Sequence, residues 1–179
     1  MTRLSVIICT HNPKRDYLDR VLAALAAQTL PAAQWELLLI DNASDERLAL
    51  PGHLAWQPRA RLIREDTVGL TPARLRGIDE SDGDILVYVD DDNLLASDYL
   101  RTAVELFESH PFLGTIGPGV LEPEFAVEPP PRLEPYLPLL ALRSSPQALW
   151  SSNPSDRASV PWGASLVRNA SPPSALVDR

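Results

Sequence analysis

The chain has 179 residues, of which 45% are hydrophobic and 22% charged, and a formal net charge of −8. This is the composition of one ordinary globular domain, and its acidic surplus excludes nucleic acid as the main partner, because phosphate backbones are held by an excess of Lys and Arg. The lone Cys9 excludes an internal disulfide, fits a reducing compartment and, inside an apolar run, reads as a small buried hydrophobe.

The first predicted element is a strand over Leu4 to Cys9. It is too short for a secretory signal core, and no later apolar run is long enough to span a bilayer, so a soluble cytoplasmic protein is expected. Asp16 to Gln28 follows, with Leu18, Val21, Leu22 and Leu25 at helical spacing. Trp35 to Ile40 reads as the second strand, closed by the turn-type cluster Asp41-Asn42-Ala43-Ser44-Asp45. Arg61 to Arg64 is a shorter third strand.

A helix is predicted from Leu70-Thr71-Pro72 to about Asp79, with Thr71 as N-cap and Pro72 in the first helical position. Ser81-Asp82-Gly83 then turns the chain into a strand over Asp84 to Val89. Ser97 and Asp98 start a helix with Leu100, Ala103, Val104 and Phe107 on one face, and Gly114 to Gly117 is a last strand of this series. Beyond residue 120 the pattern changes: 13 of the 18 prolines fall between Pro111 and Pro173, so regular structure should be sparse. Ala164 to Val167 is the strand expected there, ahead of a loose polar tail.

Alternating strands and helices predict an α/β fold with a mostly parallel sheet flanked by helices. Ligands of such sheets bind beyond the carboxyl ends of the strands. Three polar clusters fall at that edge: Thr10-His11-Asn12, Asp41-Asn42-Ala43-Ser44 and Asp90-Asp91-Asp92-Asn93. One shared site is expected.

Three adjacent carboxylates after a buried strand repel one another, and a hard divalent cation such as Mg²⁺ or Mn²⁺ relieves that cost. The alternative is a solvated acidic turn in which Asn93 or Ser97 caps the next helix. Alternation cannot say which carboxylate faces the site. One can hold the metal directly while another reaches it through water or contacts a ribose. Asp41 can accept hydrogen bonds from a base N–H or a ribose hydroxyl, with Thr10 and Asn12 as neutral polar neighbours or as shapers of the turn. Arg74 can pair with the acidic run or a phosphate, while Arg76 reads as solvated.

Several chemistries are excluded by inspection. An EF-hand needs Gly where Leu95 stands, and neither a P-loop nor a Gly-x-Gly-x-x-Gly turn is present. His11, His53 and His110 lack metal-ligand spacing and read as surface or turn residues. An Asp-x-Asp phosphatase would need a downstream Lys, and Lys14 is the only one.

In order and spacing, Ser5 to Asn12, Glu36 to Ser44, Gly69 to Gly77 and Gly83 to Asp92 resemble the GT-A glycosyltransferases of glycosyltransferase family 2. The resemblance implies a Rossmann-like nucleotide-sugar-binding subdomain over residues 1–120, with 121–179 as an incomplete Pro-rich acceptor-side segment of the same domain. It implies a nucleotide-diphosphate sugar donor, Mn²⁺ or Mg²⁺ as cofactor, and inverting transfer to a hydroxyl. The acceptor would be a glycan, lipid or small molecule, compatible with peripheral membrane association. The family's Asp-x-Asp pattern maps onto Asp90 and Asp92 as metal ligands. Thr10, Asn12 and Asp41 match nucleoside-contacting positions, Asp90 and Asp91 join them on the donor, and Arg74 matches the Ala-Arg pair of the preceding helix. Pro161 to Val167 resembles the segment bordering the acceptor pocket. Only Asp178 follows Arg168, and Asp156 is the midchain carboxylate closest to that segment, so no catalytic base is assigned. The chain reads as truncated before the acidic base motif. A non-catalytic nucleotide-sugar or metal-binding module is the alternative.

Overall fold

The computed structural model describes residues 4–49, 52–125, 127–140, 143–144 and 166–169. At its centre β1 (Leu4–Thr10) lies between β2 (Trp35–Asn42) and β4 (Ile85–Asp90), parallel to both, and β3 (Ala60–Glu65) pairs parallel with β2. Parallel strands covered on both faces need continuous apolar runs, which is what β1, β2 and β4 supply. Three helices cross over the sheet: α1 (Arg15–Ala26), α2 (Leu70–Glu80) and α3 (Tyr99–Ser109).

The far edge is antiparallel. Strand β8 (Leu166–Arg168) pairs with β4 and with the two-residue β5 (Thr115–Ile116), giving the sheet order β3-β2-β1-β4-β8-β5. Residues beyond 120 therefore contribute a strand to the same sheet. Strands β6 (Val120–Leu121) and β7 (Arg143–Ser144) make a separate two-stranded ribbon. Pro131–Leu140 forms a 3₁₀ helix, and Ala164 and Ser165 lie outside the described residues.

Alternation divides the core into two layers. Val6, Ile8, Leu37, Leu39, Val87 and Val89 pack with Leu18, Val21, Leu22 and Leu25 of α1 and with Leu100, Ala103 and Phe107 of α3. Ile7, Leu38, Ile40 and Leu86 face the other way, against Ala73 of α2. Each fully buried Leu or Ile contributes roughly 1.5–3 kcal/mol.

Helix α2 approaches the sheet through small residues: a Cβ on Gly77 would sit 2.5 Å from Ile7 Cγ2. Gly83 is tighter still, since a Cβ there would lie 2.6 Å from the backbone nitrogen of Ser5, which cannot move aside. Gly83→Ala should cost about 1–3 kcal/mol, read as a lower urea midpoint at unchanged slope, whereas Gly114→Ala, with open space around it, should not shift the midpoint.

The strand ends opposite the predicted site carry a buried carboxylate. Glu36 is 2% exposed and accepts hydrogen bonds from Ser5 Oγ at 2.6 Å, the Asp82 amide at 2.7 Å and Arg61 at 3.2 Å. Both carboxylate oxygens accept hydrogen bonds, which is how a charge in a strand is tolerated.

Most element boundaries differ from the sequence reading by a residue or two, and three differences bear on the site. Strand β2 continues through Asp41 and Asn42, because Asp41 pairs in register with both Thr10 and Arg64. Helix α2 begins at Leu70, with Gly69 rather than Thr71 at the N-cap; a φ of 137° at Gly69 lets the chain turn earlier. Neither Asn93 nor Ser97 caps α3, where Asp98 precedes the first helical residue, and Asn93 instead bonds back to Asp90.

Candidate active site

The register of β3, β2, β1 and β4 brings the predicted clusters together at the carboxyl edge. Thr10 lies opposite Asp41, Cys9 opposite Asp90, and Asn42 opposite Glu65. Paired strands are only about 4.8 Å apart, so residues remote in sequence become neighbours. Above this edge is a cleft of about 230 Å³ lined by Cys9, Thr10, His11, Asn42, Leu70, Ala73 and Asp91.

Its acidic wall is held by Thr10, whose hydroxyl donates to Asp91 Oδ2. Asp90, the last residue of β4, turns towards Asn93 Nδ2 at 3.1 Å and lies 3.9 Å from the Arg74 guanidinium. Arg74 also stands over the Tyr88 ring at 5.5 Å. Burial pushes the Asp90 carboxyl above the usual carboxylate range; Arg74 opposes the shift, while Asp92 and Asp91 reinforce it. Asp92 is exposed beyond the strand end. Of the three carboxylates, Asp91 is the one in the cleft wall.

Asp41 is 2% exposed and accepts hydrogen bonds from Arg64 at 2.8 Å and from the Ser44 and Leu48 amides at 3.2 and 3.3 Å. The same Arg64 nitrogen reaches the Ser44 carbonyl at 3.0 Å, and its Nε bonds Asp66 at 2.8 Å. Asn12, with φ 49°, interlocks with the turn after β2. Its amide donates to Ser44 Oγ at 2.9 Å, its side chain donates to Asp45 at 3.0 Å, and its Oδ1 accepts from the Asp45 amide at 2.9 Å.

Two residues to which the sequence reading gave no chemical role support the site. His11 Nδ1 donates to the Asn42 carbonyl at 2.7 Å, so a residue read as part of a turn joins β1 to β2 in the cleft wall. Arg64, read only as the end of a weak strand, neutralises Asp41. The signal for both lay in the parallel register, which places them beside their partners.

Burial works against Cys9 as a nucleophile. Burial pushes its thiol up to about 11, with Arg74 opposing and Asp90 and Asp91 adding to the shift. At pH 8 a thiol reagent should label the native protein far more slowly than the urea-unfolded chain, as mass spectrometry would show.

The profile described as Glycosyl transferase family 2 matches residues 5–158. The chain belongs to glycosyl transferase family 2. This family 2 chain is 33% identical over 92 residues to the glycosyltransferase AglE of Haloferax volcanii, covering 50% of this chain and 30% of AglE. Staphylococcus aureus TarS 1–349, solved in complex with UDP-GlcNAc, superposes with a TM-score of 0.61 at 18% identity, over 74% of this chain and 38% of that one. The mannosyltransferase PcManGT of Pyrobaculum calidifontis, solved with GDP-Man and Mn²⁺, gives 0.54 at 25% identity, over 65% and 35%. The family 2 chain thus spans 30–38% of the length of these three proteins. Its mostly parallel sheet with flanking helices is the GT-A arrangement of these neighbours. No helix among the described residues is long and apolar enough to cross a membrane.

Proposed function

We propose that this chain holds a nucleotide-diphosphate sugar in the cleft and, with a divalent cation, supports inverting transfer of the sugar to an acceptor hydroxyl. The observation that carries the reading is the cleft wall itself: Thr10 and Asp91, from separate strand ends, meet there beside the Asp90–Asp92 run. The ligands in the neighbours' complexes, UDP-GlcNAc for TarS and GDP-Man with Mn²⁺ for PcManGT, are of the same class.

Among the described residues, no three His, Cys, Asp or Glu side chains form a ready-made metal cage. The donor set still fits Mg²⁺ or Mn²⁺. These ions take one or two carboxylates and complete their shell with phosphate oxygens and water. Asp91 and Asp92 are the carboxylates best placed to hold it, with Asp90 shared between Arg74 and Asn93. The bound cation would neutralise charge on the diphosphate leaving group.

Arg74 limits repulsion within the acidic run and is available to a phosphate. Thr10 orients Asp91, and Asn12 fixes the turn beside the nucleoside end. Asp41 spends three hydrogen bonds on the protein, so its contact with a base or ribose would use a remaining lone pair. Asp156 lies outside the described residues, as does the segment Pro161 to Ser165, and the acceptor, the base and any membrane association rest on the family resemblance alone.

A direct test incubates the chain with radiolabelled UDP-GlcNAc or GDP-Man, with Mn²⁺ or with EDTA, and follows donor hydrolysis and transfer. Cation-dependent turnover is expected. Donor binding without turnover would favour a binding module, and absence of binding would sink the reading.

A further inference from the structure

We propose that Asn42 is a positioning residue that sets the mouth of the cleft by stapling the start of α2 to the end of β2. This rests on the donor-binding reading above. Asn42 is 5% exposed, and both of its amide hydrogens are used: Nδ2 donates to the Thr67 carbonyl at 2.7 Å and the Glu65 carbonyl at 3.3 Å. Its Oδ1 accepts the Gly69 amide at 2.8 Å, and its own carbonyl takes Nδ1–H of His11 at 2.7 Å. The side chain thus ties the end of β2 to the end of β3 and to the start of α2, while the Asn42 backbone carbonyl holds the end of β1.

The start of α2 depends on this grip. Gly69 has no side chain to cap the helix, and besides Asn42 only Glu65, which accepts the Thr67 amide at 2.7 Å, is seen to hold this segment by a side chain among the described residues. At φ 137° and ψ 149° Gly69 occupies a conformation that an L side chain avoids. The chain beyond it delivers Leu70 and Ala73 to the cleft wall and Arg74 to Asp90. Releasing Gly69 would let these three residues shift together relative to Thr10, which lies in β1, and Asp91, which Thr10 holds. A displacement of about 1 Å is enough to degrade a preorganised site. Asn42 presents no unused donor to a ligand, so its effect on binding runs through α2.

The test measures affinity for UDP and for GDP, each with Mn²⁺, by calorimetry, alongside the urea midpoint. Asn42→Ala should weaken binding about tenfold or more, equivalent to one lost interaction of ordinary size. Asn42→Asp should be no better, because its carboxylate would face the Glu65 and Thr67 carbonyls. Leu22→Ala, on the buried face of α1 away from the cleft, should lower the midpoint and leave affinity unchanged, which separates positioning from stability. Hydrogen exchange should show protection lost in residues 67–74 of Asn42→Ala and kept in β1. If Asn42→Ala does not fold, Gly69→Ala strains the same staple from the other side, since φ 137° disfavours an L side chain, and should show the same loss. Wild-type affinity in the folded variant, or a loss equal to that of Leu22→Ala, would overturn the inference alone. Failure of the wild type to bind either nucleotide would overturn the donor reading and this inference with it.

Discussion

Asp91→Asn should abolish stabilisation by nucleotide and Mn²⁺ while leaving the unliganded protein nearly as stable as before. At ligand concentrations 100 times Kd, binding linkage adds about 2.7 kcal/mol, and in a chain of this size that raises the melting temperature by about 5–10 °C. Asparagine keeps an oxygen for the Thr10 hydroxyl, so the β1–β4 contact survives. What it removes is the negative charge in the cleft wall. It also relieves repulsion among Asp90, Asp91 and Asp92, so the unliganded melting temperature should fall little or rise. Asp92→Ala should remove the Mn²⁺ dependence in the same way, because in the proposed site the exposed end of the run would share the cation with the diphosphate. Full nucleotide and Mn²⁺ shifts in both variants, measured by scanning fluorimetry, would take the acidic run out of the site.

The run of carboxylates was legible because it breaks a rule of composition: charges crowd where a buried strand has just ended. Strands β1, β2 and β4 were legible for the converse reason, since parallel strands covered on both faces tolerate few polar residues. The sheet edge that gathers Thr10, Asp41 and Asp91 followed from strand order alone. The sequence hid what depends on pairing across the sheet. Arg64 sits opposite Asp41 only because β2 and β3 pair in one particular register, and a slip of one residue would turn it to the other face. Glu36 looks like a misplaced charge in an apolar run until Ser5, Arg61 and the Asp82 amide converge on it. Asn42 looked like ordinary turn chemistry, yet its four hydrogen-bonded partners lie in other segments. The choice of Gly69 over Thr71 at the helix start was hidden too, because a good capping residue two positions on competes with a glycine whose backbone angle is not written in its identity.

Asp41→Ala should be among the most destabilising single changes at the site, costing about 3 kcal/mol at pH 7. The carboxylate is nearly fully buried, and its removal strands the Ser44 and Leu48 amides together with one arm of Arg64. Arg64 is 24% exposed along its side chain and keeps Asp66, so the loss belongs at the lower end of the range for a broken buried pair. The pH dependence fixes the mechanism. Burial by itself would raise the Asp41 carboxyl, but the hydrogen bonds from Ser44 and Arg64 and the Leu48 amide outweigh it and hold the group below its ordinary value of 3.8. The folded state therefore prefers the ionised form more than the unfolded chain does. Its contribution is fully present above the unfolded value and is lost as pH falls through the folded one. The gap in urea midpoint between wild type and Asp41→Asn should thus be flat from pH 7 to about pH 5 and close on further acidification. A gap that widens in acid would mean that burial dominates and that Asp41 is held against its preference, ready to take a proton or a ligand N–H instead of anchoring the loop.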